Sequence, residues 1–142
     1  MNRLEQELTF FPQIYSKTRS PFYMTYIEGI VINPYNKKQT YTTKKFLVDT
    51  GASISILNSS LGFLFEDKHN PIIEYVNIQY GGGIVTLPVY NIKLKIKGFE
   101  FELPAAFDKN MQIPSLLGHY GFLNVFEHFG VSKQRKKLTL IK

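Results

Sequence analysis

The 142-residue chain is cut into short pieces. Segments rich in β-branched and aromatic residues alternate with breakers such as Asn33-Pro34-Tyr35-Asn36, Gly81-Gly82-Gly83 and Lys97-Gly98. Branched and aromatic side chains suit a pleated, half-buried surface, while Gly, Pro and Asn supply the turns between strands. Candidate strands fall at 22–32, 40–48, 72–80, 84–90, 92–97, 99–107 and 137–141. In one of them Ile92, Leu94 and Ile96 alternate with Lys93, Lys95 and Lys97, the period-2 pattern of a strand with one dry and one wet face. Such a succession predicts an all-β domain with tight connections, closer to a barrel than to an α/β sheet.

Two segments carry a helical signal. Asn58-Ser59-Ser60 can cap a short turn running from Leu61 to Phe65, although Gly62 costs about 1 kcal/mol there relative to alanine. Phe122, Val125, Phe126 and Phe129 lie three and four residues apart, which predicts one short C-terminal helix over 118–129 with Gly130 as its stop. No repeat, low-complexity tract or linker divides the sequence, and its length suits one domain with one core. The expected organisation is an N-terminal extension or arm over 1–20 and a domain over 21–142. Residues 4–8 fit a helical turn, a β arm or a disordered extension.

The formal charge of +6 raises the question of nucleic acid, and the placement of the lysines answers it. Lys93, Lys95 and Lys97 belong to the wet face of a strand. The densest basic run, Lys133 to Lys137, leads directly into Leu138-Thr139-Leu140-Ile141 and reads as a turn plus strand, so no nucleic-acid partner is expected. Cysteine is absent, which removes disulfides, thiolate metal sites and a cysteine nucleophile. His69, His119 and His128 are too dispersed for a zinc pattern, and no cofactor fingerprint is present. The N-terminus places Glu5 and Glu7 before any apolar run, and no stretch approaches the ~18 apolar residues of a membrane span. A cytoplasmic location, without membrane, metal or cofactor, is the expectation.

Chemistry concentrates in Phe46-Leu47-Val48-Asp49-Thr50-Gly51-Ala52-Ser53. Three apolar residues anchor a strand whose end presents a carboxylate, and Gly51 lets backbone approach that carboxylate and donate to it. Thr50 adds a hydroxyl that both donates and accepts. An Asp-Thr-Gly triplet arises by chance in about one chain in 40 of this length, so neighbours must decide its meaning. Downstream come a glycine-rich hairpin, Gln79-Tyr80-Gly81-Gly82-Gly83-Ile84, and then Ser115-Leu116-Leu117-Gly118 ahead of the expected helix.

These three parts, in this order over about residues 22 to 141, resemble the retropepsin-like aspartic peptidases, the single-lobe kind related to retroviral proteases. The resemblance implies a closed β-barrel with a glycine-rich flap, active as a homodimer on a peptide or protein substrate. It implies catalytic roles for Asp49, Thr50 and Gly51, with the Thr50 hydroxyl bracing the two active-site loops across the dimer axis. Ala52, Ser53, Tyr80, Gly81, Gly82, Gly83 and Ile84 would contact substrate, and Leu116, Leu117 and Gly118 would support the active-site loop from beneath. Dimerisation follows from arithmetic: the chemistry needs two carboxylates sharing a proton, and Asp67 and Asp108 are each followed by lysine rather than Thr-Gly. The implied reaction is hydrolysis by a water activated between Asp49 of two subunits, declining on the alkaline side as the shared proton is lost. Where many family members have arginine after Leu-Leu-Gly, tying the active-site loop to the dimer interface, this chain has His119, which either replaces that tie in a pH-sensitive way or is an exposed residue at the start of the expected helix. A catalytically inactive, dimeric peptide-binding module on the same fold is the alternative.

Overall fold

A computed structural model describes residues 2–11 and 22–142, and the expected boundary between arm and domain at residue 20 lies outside the described residues. In chain order the strands are β1 (Arg3–Glu7), β2 (Thr9–Phe11), β3 (Phe22–Met24), β4 (Tyr26–Ile32), β5 (Lys44–Val48), β6 (Ser55–Leu57), β7 (Glu74–Tyr80), β8 (Gly83–Ile96), β9 (Phe99–Phe107), β10 (Ser115–Leu117), β11 (His128–Ser132) and β12 (Lys137–Ile141). The main sheet runs β4-β5-β10-β6-β9-β8-β7, and a further pairing of β8 with β4 closes its first six strands into a barrel. β7 is left outside the ring, hydrogen-bonded to β8 through the tight turn at Gly81-Gly82. The predicted all-β barrel is therefore the fold.

Closure explains the burial pattern. Ile27, Val31, Phe46, Val48, Ile92, Leu94, Ile96, Phe101 and Leu103 meet in one core, while the alternate residues face outward. Lys93 sits on that outer face between Glu100 and Glu102, at 3.3 and 3.6 Å, and Lys95 is exposed, as the alternation requires. The two strands expected at 84–90 and 92–97 are one 14-residue strand. Along it the buried side changes: Leu87 and Val89 face a second cluster with Ile56, Ala106 and Met111, whereas Ile92, Leu94 and Ile96 face the barrel interior. Register with β9 stays continuous through Tyr90 and Asn91, so the change of face reflects different packing partners for the two halves of the strand. The half beyond Asn91 closes the barrel, and the half before it projects with β7 as a hairpin.

The helix expected over 118–129 does not form. Its place is taken by two bonds reaching five residues back, Leu123 N–H to the Gly118 carbonyl and Asn124 N–H to the His119 carbonyl, a 3₁₀ turn at Leu123–Val125, and strand β11. Gly121 adopts φ +79, and a Cβ there would lie 2.6 Å from the Leu103 Cβ, so the backbone is pressed against β9 in a conformation a helix does not use. Phe122 and Phe126 are buried against Phe101 as the spacing suggests, but Val125 and Phe129 are exposed. The backbone beyond finds its partners in β12, with Phe129 opposite Leu140 and Gly130 within the strand rather than ending a helix. Non-local strand pairing outweighs the local pattern here. The shorter expectation holds better: Asn58 caps a 3₁₀ helix at Ser59–Phe65, its side-chain oxygen accepting from Ser60 N–H at 3.2 Å.

β12 lies between β1 and β11 in a separate three-stranded sheet, so residues 3–7 form a β arm. Leu4 anchors this arm in the main core at 1% exposure. Leu4→Ala should therefore lower unfolding free energy by about 2–5 kcal/mol, as for other buried leucines. Denaturant unfolding with an unchanged midpoint would show that the arm is not part of the cooperative unit.

Candidate active site

Asp49 stands where β5 leaves the barrel. β5 pairs in parallel with β10, aligning Phe46, Leu47 and Val48 with Ser115, Leu116 and Leu117. The pairing extends one bond further, from Asp49 N–H to the Leu117 carbonyl at 2.9 Å. On the other side Val48 N–H donates to the Thr25 carbonyl, and the Thr25 hydroxyl donates back to the Val48 carbonyl at 3.1 Å. The carboxylate is thus delivered by backbone that is bonded on both edges and has little room to move.

The loop that follows is folded onto 117–120. Gly51 N–H donates to Asp49 Oδ1 at 2.9 Å, a charge-assisted bond that fixes one carboxylate oxygen. Ala52 N–H turns back to the Asp49 carbonyl, His119 N–H donates to the Ala52 carbonyl, and Tyr120 N–H donates to the Ser53 carbonyl. Gly118 N–H donates to the buried Ser55 hydroxyl at 3.0 Å. Gly118 is required by close approach: a Cβ there would fall 2.6 Å from the Ala52 carbonyl oxygen and 2.8 Å from that of Ile54, both rigid backbone. Leu117 is fully buried. Leu116, Leu117 and Gly118 thus lie beside and beneath the Asp49 loop.

A cavity of about 370 Å³ opens between this loop and the β7–β8 hairpin. Asp49, Gly51, Ala52, Ser53 and Ile54 line it from the loop, Asn77 to Tyr80 from the hairpin, and Ile56 and Leu116 complete it. Of the residues named from sequence, Asp49, Gly51, Ala52, Ser53, Tyr80 and Leu116 meet around this space. Thr50 is exposed on the loop, Gly81 to Gly83 form the open hairpin tip with free space around each α-carbon where a side chain would stand, and Ile84 is 72% exposed beyond it. Gln79 was quoted in the hairpin motif but given no role, and Ile54, Ile56, Asn77 and Ile78 were not singled out from sequence. Their one signal is adjacency to the motifs, since each is an ordinary strand or loop residue taken alone. Among the described residues no group of three His, Asp or Glu side chains is placed to hold a metal ion.

Two contacts join distant segments at this site. His119 is exposed, as read from sequence, but no helix begins there, and its ring Nε2 lies 2.7 Å from the Thr50 carbonyl oxygen. The Tyr80 hydroxyl donates to Asp108 Oδ2 at 3.0 Å and ties the hairpin to the 108–111 turn. Asp108 is 6% exposed, and its other oxygen accepts from Asn110 N–H. Burial, reinforced by the hydrogen bond and negative charge of Asp108, pushes the Tyr80 phenol up to about 12. Because this value lies above the ordinary ~10, the tie is present throughout the neutral range, and any stability it contributes is lost as pH rises from about 10 to 12. Followed by NMR, the Tyr80 ring should titrate near pH 12, moving part of the way back toward 10 in Asp108→Asn. A Tyr80 titration unaffected by that substitution would rule the contact out.

No protein-family model matches the sequence, and no curated protein matches it. Solved structures do match. The crystal structure of a retropepsin-like aspartic protease from Rickettsia conorii superposes with a TM-score of 0.60 over 97% of this chain and 90% of that one, at 21% sequence identity. The likeness is one of fold: this chain has the architecture of a retropepsin-like aspartic protease.

Proposed function

We propose that this chain is an aspartic endopeptidase acting as a homodimer, with the Asp49 carboxylates of two copies facing one another across one water. The observation that carries the reading is the placement of Asp49: a carboxylate held by the Gly51 amide at the end of a doubly bonded strand, lining a cavity under a glycine-tipped hairpin. A solitary carboxylate cannot serve as general base and general acid in the same step, and the sequence holds one Asp-Thr-Gly.

In this reading one Asp49 is ionised and takes a proton from the water as its oxygen attacks the scissile carbonyl carbon. The other Asp49, which holds the shared proton, donates it to the carbonyl oxygen. The resulting gem-diol collapses as the first Asp49 gives the water's proton to the nitrogen, the C–N bond breaks, and the second Asp49 takes a proton from a gem-diol hydroxyl, releasing an acid and an amine with one proton again shared by the pair. No covalent intermediate forms with the protein. In each copy the Gly51 amide keeps the Asp49 carboxyl group oriented, and Thr50 braces the two loops across the dimer axis. Ala52, Ser53, Tyr80 and the Gly81 to Ile84 tip contact an extended substrate, with Gly81 to Gly83 giving a flap the freedom to rise and close. The outer edge of β7 has no partner among the described strands, which suits main-chain recognition by strand addition.

Asp49→Asn keeps the shape of the side chain and removes its ionisation. Cleavage of a peptide library should fall by at least about 10²-fold, the range attached to loss of general acid–base catalysis, while the unfolding midpoint stays near that of the wild type. Equal cleavage by the variant would refute the reading. A wild-type protein that binds peptides and cuts none would favour the binding module.

A further inference from the structure

We infer that His119 is a positioning residue for the Asp49 carboxylate, acting through the peptide group between Thr50 and Gly51. The inference rests on the peptidase reading for its kinetic consequence and on geometry alone for the contact itself. The carbonyl approached by His119 Nε2 and the amide that binds Asp49 belong to one peptide unit. On one side the Thr50 C=O lies 2.7 Å from the imidazole nitrogen, and on the other the Gly51 N–H donates to Asp49 Oδ1 at 2.9 Å.

A peptide group is planar, so fixing the direction of its C=O also fixes the direction of its N–H. Gly51 is where such control is needed. A peptide preceding glycine turns over at low steric cost, and a turned peptide would point a carbonyl oxygen at the carboxylate in place of the amide. His119 opposes that rotation by holding the carbonyl end. Withdrawal of electron density through C=O also strengthens donation by the linked N–H, since hydrogen bonds in a chain polarise one another.

The backbone that carries the exposed histidine ring is well fixed. The His119 N–H donates to the Ala52 carbonyl at 2.9 Å, and the His119 carbonyl accepts from Asn124 N–H at 2.9 Å and from Phe122 N–H at 3.3 Å. The preceding Gly118 is packed against the carbonyls of Ala52 and Ile54. Because a carbonyl oxygen has no proton to give, Nε2 must be the donor. The Nε2–H neutral tautomer and the imidazolium both present that donor. What the contact requires is a donor at the reach of Nε2.

That requirement sets the test. Glutamine places an amide nitrogen at nearly the same reach, whereas phenylalanine keeps a ring of similar size without a donor. In His119→Phe, amide hydrogen exchange at Gly51 should quicken about tenfold and kcat for peptide cleavage should fall about tenfold with KM little changed, the size of one lost hydrogen bond. The unfolding midpoint should stay close to that of the wild type. His119→Gln should restore both exchange and kcat, a rescue that a space-filling role does not provide. Gly51 exchange unchanged in His119→Phe, or equally fast in both variants, would overturn the inference. If the wild type cuts no peptide, Gly51 exchange still decides the role of His119, and the failure belongs to the peptidase reading.

Discussion

The parallel pairing of β5 with β10 is the constraint on which the candidate site depends. Three residues on each side, Phe46 to Val48 and Ser115 to Leu117, bring together segments almost seventy positions apart and set their ends level. From that register follow the bond between Asp49 and Leu117, the seat of Gly118 against Ala52 and Ile54, and the reach of His119 to Thr50. Parallel strands cannot be joined by a tight turn, so this contact exists only because the rest of the barrel returns the chain to it. The barrel is in that sense the device that positions one carboxylate.

The long strand β8 divides the labour between rigidity and access. Its second half closes the ring against β4 and buries Ile92, Leu94 and Ile96. Its first half leaves the ring with β7 and packs more lightly on Ile56, Ala106 and Met111, ending at a glycine tip without neighbours. A firmly held carboxylate thus faces a hairpin with fewer buried contacts, the arrangement expected where one side of a site must open. Tyr80 and Asp108 restrain that hairpin with a single hydrogen bond.

Much of this was legible in the chain itself, and the reasons are specific. The alternation through Ile92 to Lys97 and the breakers around it identified strands because each residue meets one neighbouring layer. The three motifs could be ordered because each has a recognisable local demand: a strand end with a carboxylate, a glycine turn, and a glycine beside apolar residues. What sequence could not reveal were features that come from pairing at a distance. Phe122 to Phe129 carry a helical period, yet Gly121 against Leu103 and the partnership with β12 make the segment a turn and a strand. Ser55–Leu57 is buried throughout and too short to show any period. Asp108 read only as an aspartate outside any motif, and His119 as the start of a helix, because their partners, Tyr80 and Thr50, lie 28 and 69 positions away.

The central claim is that one site is made from Asp49 of two copies. Mixing subunits tests it most directly: wild-type and Asp49→Asn chains are unfolded together, refolded in varied ratios at constant total concentration, and assayed on one cleaved peptide. If each site needs both carboxylates, activity falls with the square of the wild-type fraction, because mixed dimers are inactive. Activity that falls in direct proportion to the wild-type fraction would show that each chain carries a complete site of its own.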